Sequence, residues 1–144
     1  QEGQARTLQL LGDMVGAAGI PVLGAVAAGG LVTAFDDVQE HLDLAPVLET
    51  RGLFALTVNG DSMVDSHIAD GDVVLMEPVQ DPQRLRNGTV VSALVAGSGT
   101  TLKHFHRQGP TVVLEAANPA YQPIELPAEQ VEVQGRLVAV WRQV

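Results

Sequence analysis

From about residue 50 onward, short apolar runs alternate with glycine-containing turn pairs. Leu53-Phe54-Ala55-Leu56-Thr57-Val58 ends at Asn59-Gly60, and Asp72-Val73-Val74-Leu75-Met76 follows Asp70-Gly71. Asn87-Gly88 precedes Thr89-Val90-Val91-Ser92-Ala93-Leu94-Val95, and Gly97-Ser98-Gly99 separates that run from Thr100–Arg107. Asn-Gly and Asp-Gly supply the positive φ that tight hairpin turns demand, so these pairs mark strand ends. Pro110–Glu115 and Val131–Val140 read as two more strands, and Thr100–Arg107 as the hairpin partner of Thr89–Val95. The sequence therefore predicts a mainly β domain, with one helical turn between Ser62 and Ala69.

The first fifty residues carry weaker signals. Leu8–Val15 could form a helical turn, but Gly16 and Gly19 interrupt it. Residues 1–19 read as an interdomain linker remnant, leaving 20–144 as the folded domain. Ile20-Pro21-Val22-Leu23-Gly24 fits an edge strand, where proline is tolerated. Ala25–Gly30 is small-residue loop sequence. No internal repeat is present.

Composition narrows the function classes. Hydrophobic residues make up 46% and charged residues 17%, so the chain is globular. Aromatics are only 3%, which leaves Val, Leu, Ile and Ala to build the core. The formal net charge of −9 offers no footprint for a phosphate backbone, so any DNA must be held by another part of the molecule. No apolar run is long enough to span a membrane, no signal peptide is legible, and a cytoplasmic location is expected. Cysteine is absent, which excludes disulfides and a thiol nucleophile. The chain opens on Gln1, which predicts a segment of something longer.

Three features carry candidate chemistry, and each alone has an ordinary structural explanation. Ser62, in Asn59-Gly60-Asp61-Ser62-Met63, follows a strand and a turn. That context can expose a hydroxyl beside outward-pointing N–H groups, or simply place a helix cap. A serine nucleophile needs a positioned base. His41, His67, His104 and His106 are available for that role, although no Gly-x-Ser-x-Gly elbow exists. Lys103, in Leu102-Lys103-His104-Phe105, is the single lysine of the chain. Burial would lower its pKa and let it act as a base; an exposed edge position would make it only a guard against aggregation. Ala28-Gly29 is a bond between small residues in a loop, suited to a narrow cleft or to nothing more than flexibility. His104 and His106 could share a strand face, but two ligands are too few for a metal site. Asp61, Asp65, Asp70 and Asp72 do not match a calcium loop and read as turn and cap residues.

In combination, Val22–Gly30, Gly60-Asp61-Ser62-Met63, Asp70-Gly71-Asp72, Asn87-Gly88, Lys103 and Glu115-Ala116-Ala117-Asn118-Pro119 resemble the C-terminal domain of LexA repressors. The resemblance runs from about Ile20 to Val144. It implies a compact peptidase-like domain of short, strongly bent sheets. It also implies a serine peptidase that cuts itself once, with Ser62 as nucleophile, Lys103 as base and Ala28-Gly29 as the scissile bond. The oxyanion hole would then be the backbone amides of Asp61 and Ser62. No cofactor and no metal are expected.

The resemblance further implies a repressor of the DNA-damage response, inactivated by cleavage when a RecA filament on single-stranded DNA activates it. DNA would be bound only through an N-terminal helix-turn-helix domain outside this chain. The apolar Val131–Trp141 stretch would form a strand-to-strand homodimer contact. Two departures stand out: Ala25 and Gly30 occupy positions where LexA cleavage loops commonly carry arginine and glutamate. A UmuD-like polymerase subunit, a phage repressor and a signal-peptidase-like enzyme acting in trans share parts of the pattern. The Ala-Gly bond and the linker-like start favour the repressor.

Overall fold

A computed structural model describes residues 19–22, 28–29, 40–49 and 52–144. The chain divides into two units, Gln1–Glu49 and Thr50–Val144. The expected linker lies outside the described residues except for Gly19.

In the first unit, β1 (Ile20–Val22) pairs antiparallel with β2 (Glu40–Leu42), followed by the short helix α1 (Ala45–Leu48). Gly19 has φ +88, and a Cβ there would lie 2.6 Å from the Leu42 carbonyl oxygen. Glycine is therefore required where β1 begins against the end of β2. The β1 strand was expected; β2 and α1 were not.

The second unit is a seven-stranded antiparallel sheet. Its strands are β3 (Phe54–Thr57), β4 (Val73–Pro78), β5 (Thr89–Val95), β6 (Gly99–Gln108), β7 (Thr111–Glu115), β8 (Ile124–Pro127) and β9 (Val131–Trp141), in the spatial order β3-β4-β9-β5-β6-β7-β8. The mainly β expectation is met, and the turn pairs fall where they were read. Strand β8 was missed because Ile124-Glu125-Leu126-Pro127 is short and closes on a proline.

The sheet carries two apolar clusters. One gathers Val91, Ala93, Phe105, Val112 and Leu114; the other gathers Met63, Ile68, Val74 and Met76. Strand β9 is central for its first half, where Val131–Arg136 pairs with β5. From Leu137 to Trp141 it pairs with β4 alone among the described residues. Gly135 lies where β9 meets both neighbours; a Cβ there would sit 2.7 Å from the Phe54 ring and 3.0 Å from the Glu77 carbonyl oxygen.

Past β9, Arg142 returns to the turn that precedes β4. Its Nε and Nη2 each donate to the Asp72 carboxylate at 2.6 Å. Asp72 is only 2% exposed and also accepts the Ala69 N–H. These hydrogen bonds hold its pKa down to about 2, led by the Arg142 guanidinium.

Candidate active site

The chain leaves β3 through Val58-Asn59-Gly60-Asp61-Ser62-Met63. Gly60 has φ +101, which L side chains rarely adopt, and its N–H donates to Asp70 Oδ1 at 2.6 Å. Immediately after Ser62, Met63 is 1% exposed in the second apolar cluster. The 3-10 turn Val64–Ser66 follows, and Ile68 returns to the same cluster. Ser62 is thus held between a glycine turn and a buried anchor. It does not cap the 3-10 turn: Met63 stands at the N-cap, with no side-chain cap bond.

Lys103 comes from β6, opposite Val91 of β5, on the same buried face as Phe105. It is 8% exposed, so the exposed-edge reading of this lysine does not hold. Its Nζ lies 3.0 Å from Ser62 Oγ, 2.8 Å from Thr101 Oγ1 and 3.1 Å from the Leu102 carbonyl oxygen. No carboxylate touches the amine among the described residues, and burial lowers its pKa from the ordinary lysine value.

The three partners constrain the proton. An ammonium would donate to all three oxygens. A neutral amine has two N–H groups and one lone pair. The Leu102 carbonyl can only accept, while both hydroxyls can donate or accept. With Thr101 accepting the second N–H, the lone pair faces the Ser62 hydroxyl, which then donates to Nζ. Thr101 was not singled out from sequence; it sits two residues before Lys103 on the same face of β6, and that period was the available signal.

Both groups line a cleft of about 420 Å³. Leu56, Val58, Val74 and Leu102 supply its apolar lining, and Asp61 and Tyr121 lie at its polar side. Such a cleft can take an extended segment with small side chains and exclude water from the serine–lysine pair.

A second loop grips the serine turn. Asn118-Pro119-Ala120-Tyr121 forms a β-turn: the Tyr121 N–H donates to the Asn118 carbonyl at 3.1 Å, with proline at the second position. Asn118 Oδ1 accepts the Ala120 N–H at 2.9 Å, and its Nδ2 donates to the Asp61 carbonyl at 2.9 Å. Tyr121 Oη donates to Asp61 Oδ1 at 2.6 Å, which raises the Tyr121 pKa. The Asp65 N–H donates to the Ala117 carbonyl at 2.8 Å. The amides of Asp61 and Ser62 have no acceptor among the described residues.

The remaining sequence candidates are placed elsewhere. His104 Nε2 is 2.9 Å from Ser66 Oγ and Nδ1 is 2.9 Å from the Gly88 carbonyl oxygen. The carbonyl only accepts, so Nδ1 carries the proton and Nε2 accepts from Ser66 in the neutral ring. His106 faces Glu115 at 3.4 Å, His41 lies on β2, and His67 ends the 3-10 turn with φ +61. None of the four hydrogen-bonds Ser62 among the described residues. Ala28 and Gly29 form an exposed bend in the first unit, and most of the loop around them lies outside the described residues.

Against known proteins, the Peptidase S24-like family matches residues 21–138. The LexA repressor of Koribacter versatilis is 41% identical over 142 residues, covering 99% of this chain and 66% of that protein. The transcription regulator LexA of Synechocystis is 35% identical over 141 residues, covering 98% of this chain and 68% of that protein. The LexA repressor of Gluconobacter oxydans is 40% identical over 125 residues, covering 86% and 51% respectively. The chain thus spans between about half and two thirds of the length of these relatives. With a family match across most of its length and LexA proteins alike over nearly all of it, the chain belongs to the Peptidase S24-like family, among proteins of the LexA type.

Proposed function

We propose that the chain is the self-cleaving regulatory domain of a LexA-type repressor of the DNA-damage response. One observation carries the reading. A buried lysine with a lowered pKa lies 3.0 Å from a serine hydroxyl in an open cleft, with no histidine or carboxylate competing for either group among the described residues.

The chemistry follows from the contacts. Ser62 Oγ attacks the Ala28 carbonyl carbon, and its proton passes to Lys103 Nζ. Negative charge develops on the Ala28 oxygen, where the free N–H groups of Asp61 and Ser62 stabilise it. Collapse breaks the Ala28–Gly29 C–N bond, and the Lys103 ammonium returns its proton to the leaving Gly29 amine. Water then attacks the Ala28 ester with Lys103 again as base, freeing Ser62. Cutting there separates the residues before Gly29 from the second unit and so ends repression. A RecA filament on single-stranded DNA accelerates the step by stabilising the docked form of the cleavage loop.

Dimerisation is proposed through the open edge of β9, Leu137–Trp141. Val140 is 40% and Trp141 56% exposed there, and the edge, unpaired among the described residues, offers a ladder to a second copy. Sedimentation equilibrium showing only monomer at micromolar concentration refutes this contact.

Incubation at alkaline pH followed by mass spectrometry of the fragments tests the peptidase reading. A single cut after Ala28 is expected, lost in both Ser62→Ala and Lys103→Ala. Cleavage elsewhere, or cleavage that survives Lys103→Ala, overturns the assignment.

A further inference from the structure

We infer that Asn118 is a positioning residue for the oxyanion hole, acting through the peptide bond between Asp61 and Ser62. The inference rests on the proposed peptidase reading.

A peptide bond is planar and trans, so its C=O and N–H point in opposite directions. The carbonyl of the Asp61–Ser62 peptide belongs to Asp61, and its N–H is the Ser62 amide. Holding one end of that plane aims the other. Asn118 Nδ2 holds the carbonyl end at 2.9 Å, and the Ser62 N–H has no acceptor among the described residues. The Asn118 amide itself cannot turn over without loss. Its Oδ1 accepts the Ala120 N–H, so Nδ2 is the group that meets the Asp61 carbonyl.

The grip is one-sided and specific to the peptide plane. Ser62 is held on its side-chain end by Lys103, and Met63 is anchored in the core. Neither fixes the rotation of the peptide preceding Ser62. Among the described residues, the only other donor to the Asp61 carbonyl is the Val64 N–H at a long 3.4 Å. The plane turns about the Asp61 Cα–C and Ser62 N–Cα bonds; Gly60, at φ +101 and bonded through its N–H to Asp70, fixes only the preceding peptide. A hydrogen bond received by the carbonyl also polarises the peptide and strengthens its N–H as a donor. Tyr121, bonded to the Asp61 carboxylate, steadies the residue but not the plane.

The test is self-cleavage of the chain measured from pH 7 to 11 for the parent, Asn118→Ser and Tyr121→Phe, with Ser62→Ala and Lys103→Ala as controls. Serine keeps an acceptor for the Ala120 N–H but is too short to reach the Asp61 carbonyl, and it adds no charge near Lys103. Loss of one oxyanion donor lowers rates by roughly a hundredfold or more, so a misaimed donor should lower the Asn118→Ser rate by at least about tenfold. The loss should be equal at every pH, with the pH midpoint unmoved, because Lys103 keeps its three partners. Tyr121→Phe should lose less than Asn118→Ser. A general structural defect would instead lower the melting temperature and move the midpoint. If Asn118→Ser fails to fold, Asn118→Ala is measured on the same criteria.

Cleavage by Asn118→Ser within twofold of the parent, while Ser62→Ala and Lys103→Ala are dead, overturns the positioning role alone. A shifted midpoint with an unchanged plateau overturns it too, by assigning the effect to Lys103. Cleavage that persists in Ser62→Ala removes the peptidase reading and this inference with it.

Discussion

The protonation of Lys103 sets a pH dependence that can be worked out from its contacts. Burial favours the neutral amine, so its folded pKa lies below the ordinary value of 10.5. Below that pKa the neutral fraction rises about tenfold for each pH unit, and the cleavage rate should rise with it. The midpoint of the profile should therefore lie below 10.5, the ordinary lysine value. Stability moves the same way. The folded state prefers the neutral form more than the unfolded chain does. Its penalty is full below the folded pKa and disappears as pH rises toward the unfolded value. The perturbation that isolates the geometry is Thr101→Val, close in shape but unable to accept from Nζ. It removes one of the three oxygens around the amine, which costs the ammonium more than the neutral form and moves the profile to lower pH. It also frees the lone pair to turn from Ser62, so the plateau should fall by roughly tenfold, the order of about 1.4 kcal/mol of lost orientation. The assay is the first-order rate of fragment appearance at constant ionic strength. A parent profile with its midpoint at or above 10.5 refutes the argument. So does a Thr101→Val profile displaced to higher pH.

Two further perturbations test the frame that holds the pair. Ser92 is fully buried at the β5–β9 junction, and its Oγ has no hydrogen-bond partner among the described residues. Ser92→Ala should therefore stabilise the fold by about 1 kcal/mol, seen as a rise of several degrees in melting temperature. An unchanged or lower melting temperature rejects that view. The Asp72–Arg142 pair contributes stability that is fully present above the unfolded carboxylate pKa of about 3.9 and is lost as pH falls through about 2. Asp72→Asn should lower the urea midpoint at pH 6 and narrow its gap to the parent as pH approaches 2; a gap that widens in acid contradicts the assignment.

Most strands of the second unit were legible because a glycine-containing turn borders the apolar run, as at Asn59-Gly60, Asp70-Gly71, Asn87-Gly88 and Gly97-Ser98-Gly99. What sequence could not supply was registry across long separations. Nothing in Asn118-Pro119-Ala120-Tyr121 announces that it will close on Asp61; the turn is readable from its proline, but its target is set by where β7 ends. The same holds for Asp72 and Arg142, whose pairing depends on β9 running beside β4. Gly135 lies inside the Val131–Val140 run with nothing in sequence to single it out, yet the Phe54 ring and the Glu77 carbonyl leave no room for a side chain there. The lysine's burial was also open from sequence, since Leu102-Lys103-His104-Phe105 fits an edge strand as well as an interior one. The sheet order decides it by placing β6 between β5 and β7. Within the first unit, the weak pattern around β2 reflects a short strand, Glu40-His41-Leu42, with charged and exposed positions.

These contacts bear on where control resides. A docked cleavage loop could control cleavage by dehydrating Lys103 or simply by presenting the bond. Yet among the described residues every hydrogen bond to its amine comes from Ser62, Thr101 and Leu102, all within Thr50–Val144. The Asp61 peptide is likewise held from within that unit, by Asn118. On the proposed reading, base and oxyanion donors are therefore set by the sheet and its loops, and what remains to be supplied is the Ala28-Gly29 bond itself. Activation then acts on the population of chains that present this bond to the cleft. A ligand can shift that population only by its differential affinity for the docked form. On the same proposed reading, Ala25 and Gly30, which lack the charges common in LexA cleavage loops, belong to the segment on which that differential would depend. They are the positions at which this chain's response to an activator should depart from that of its relatives.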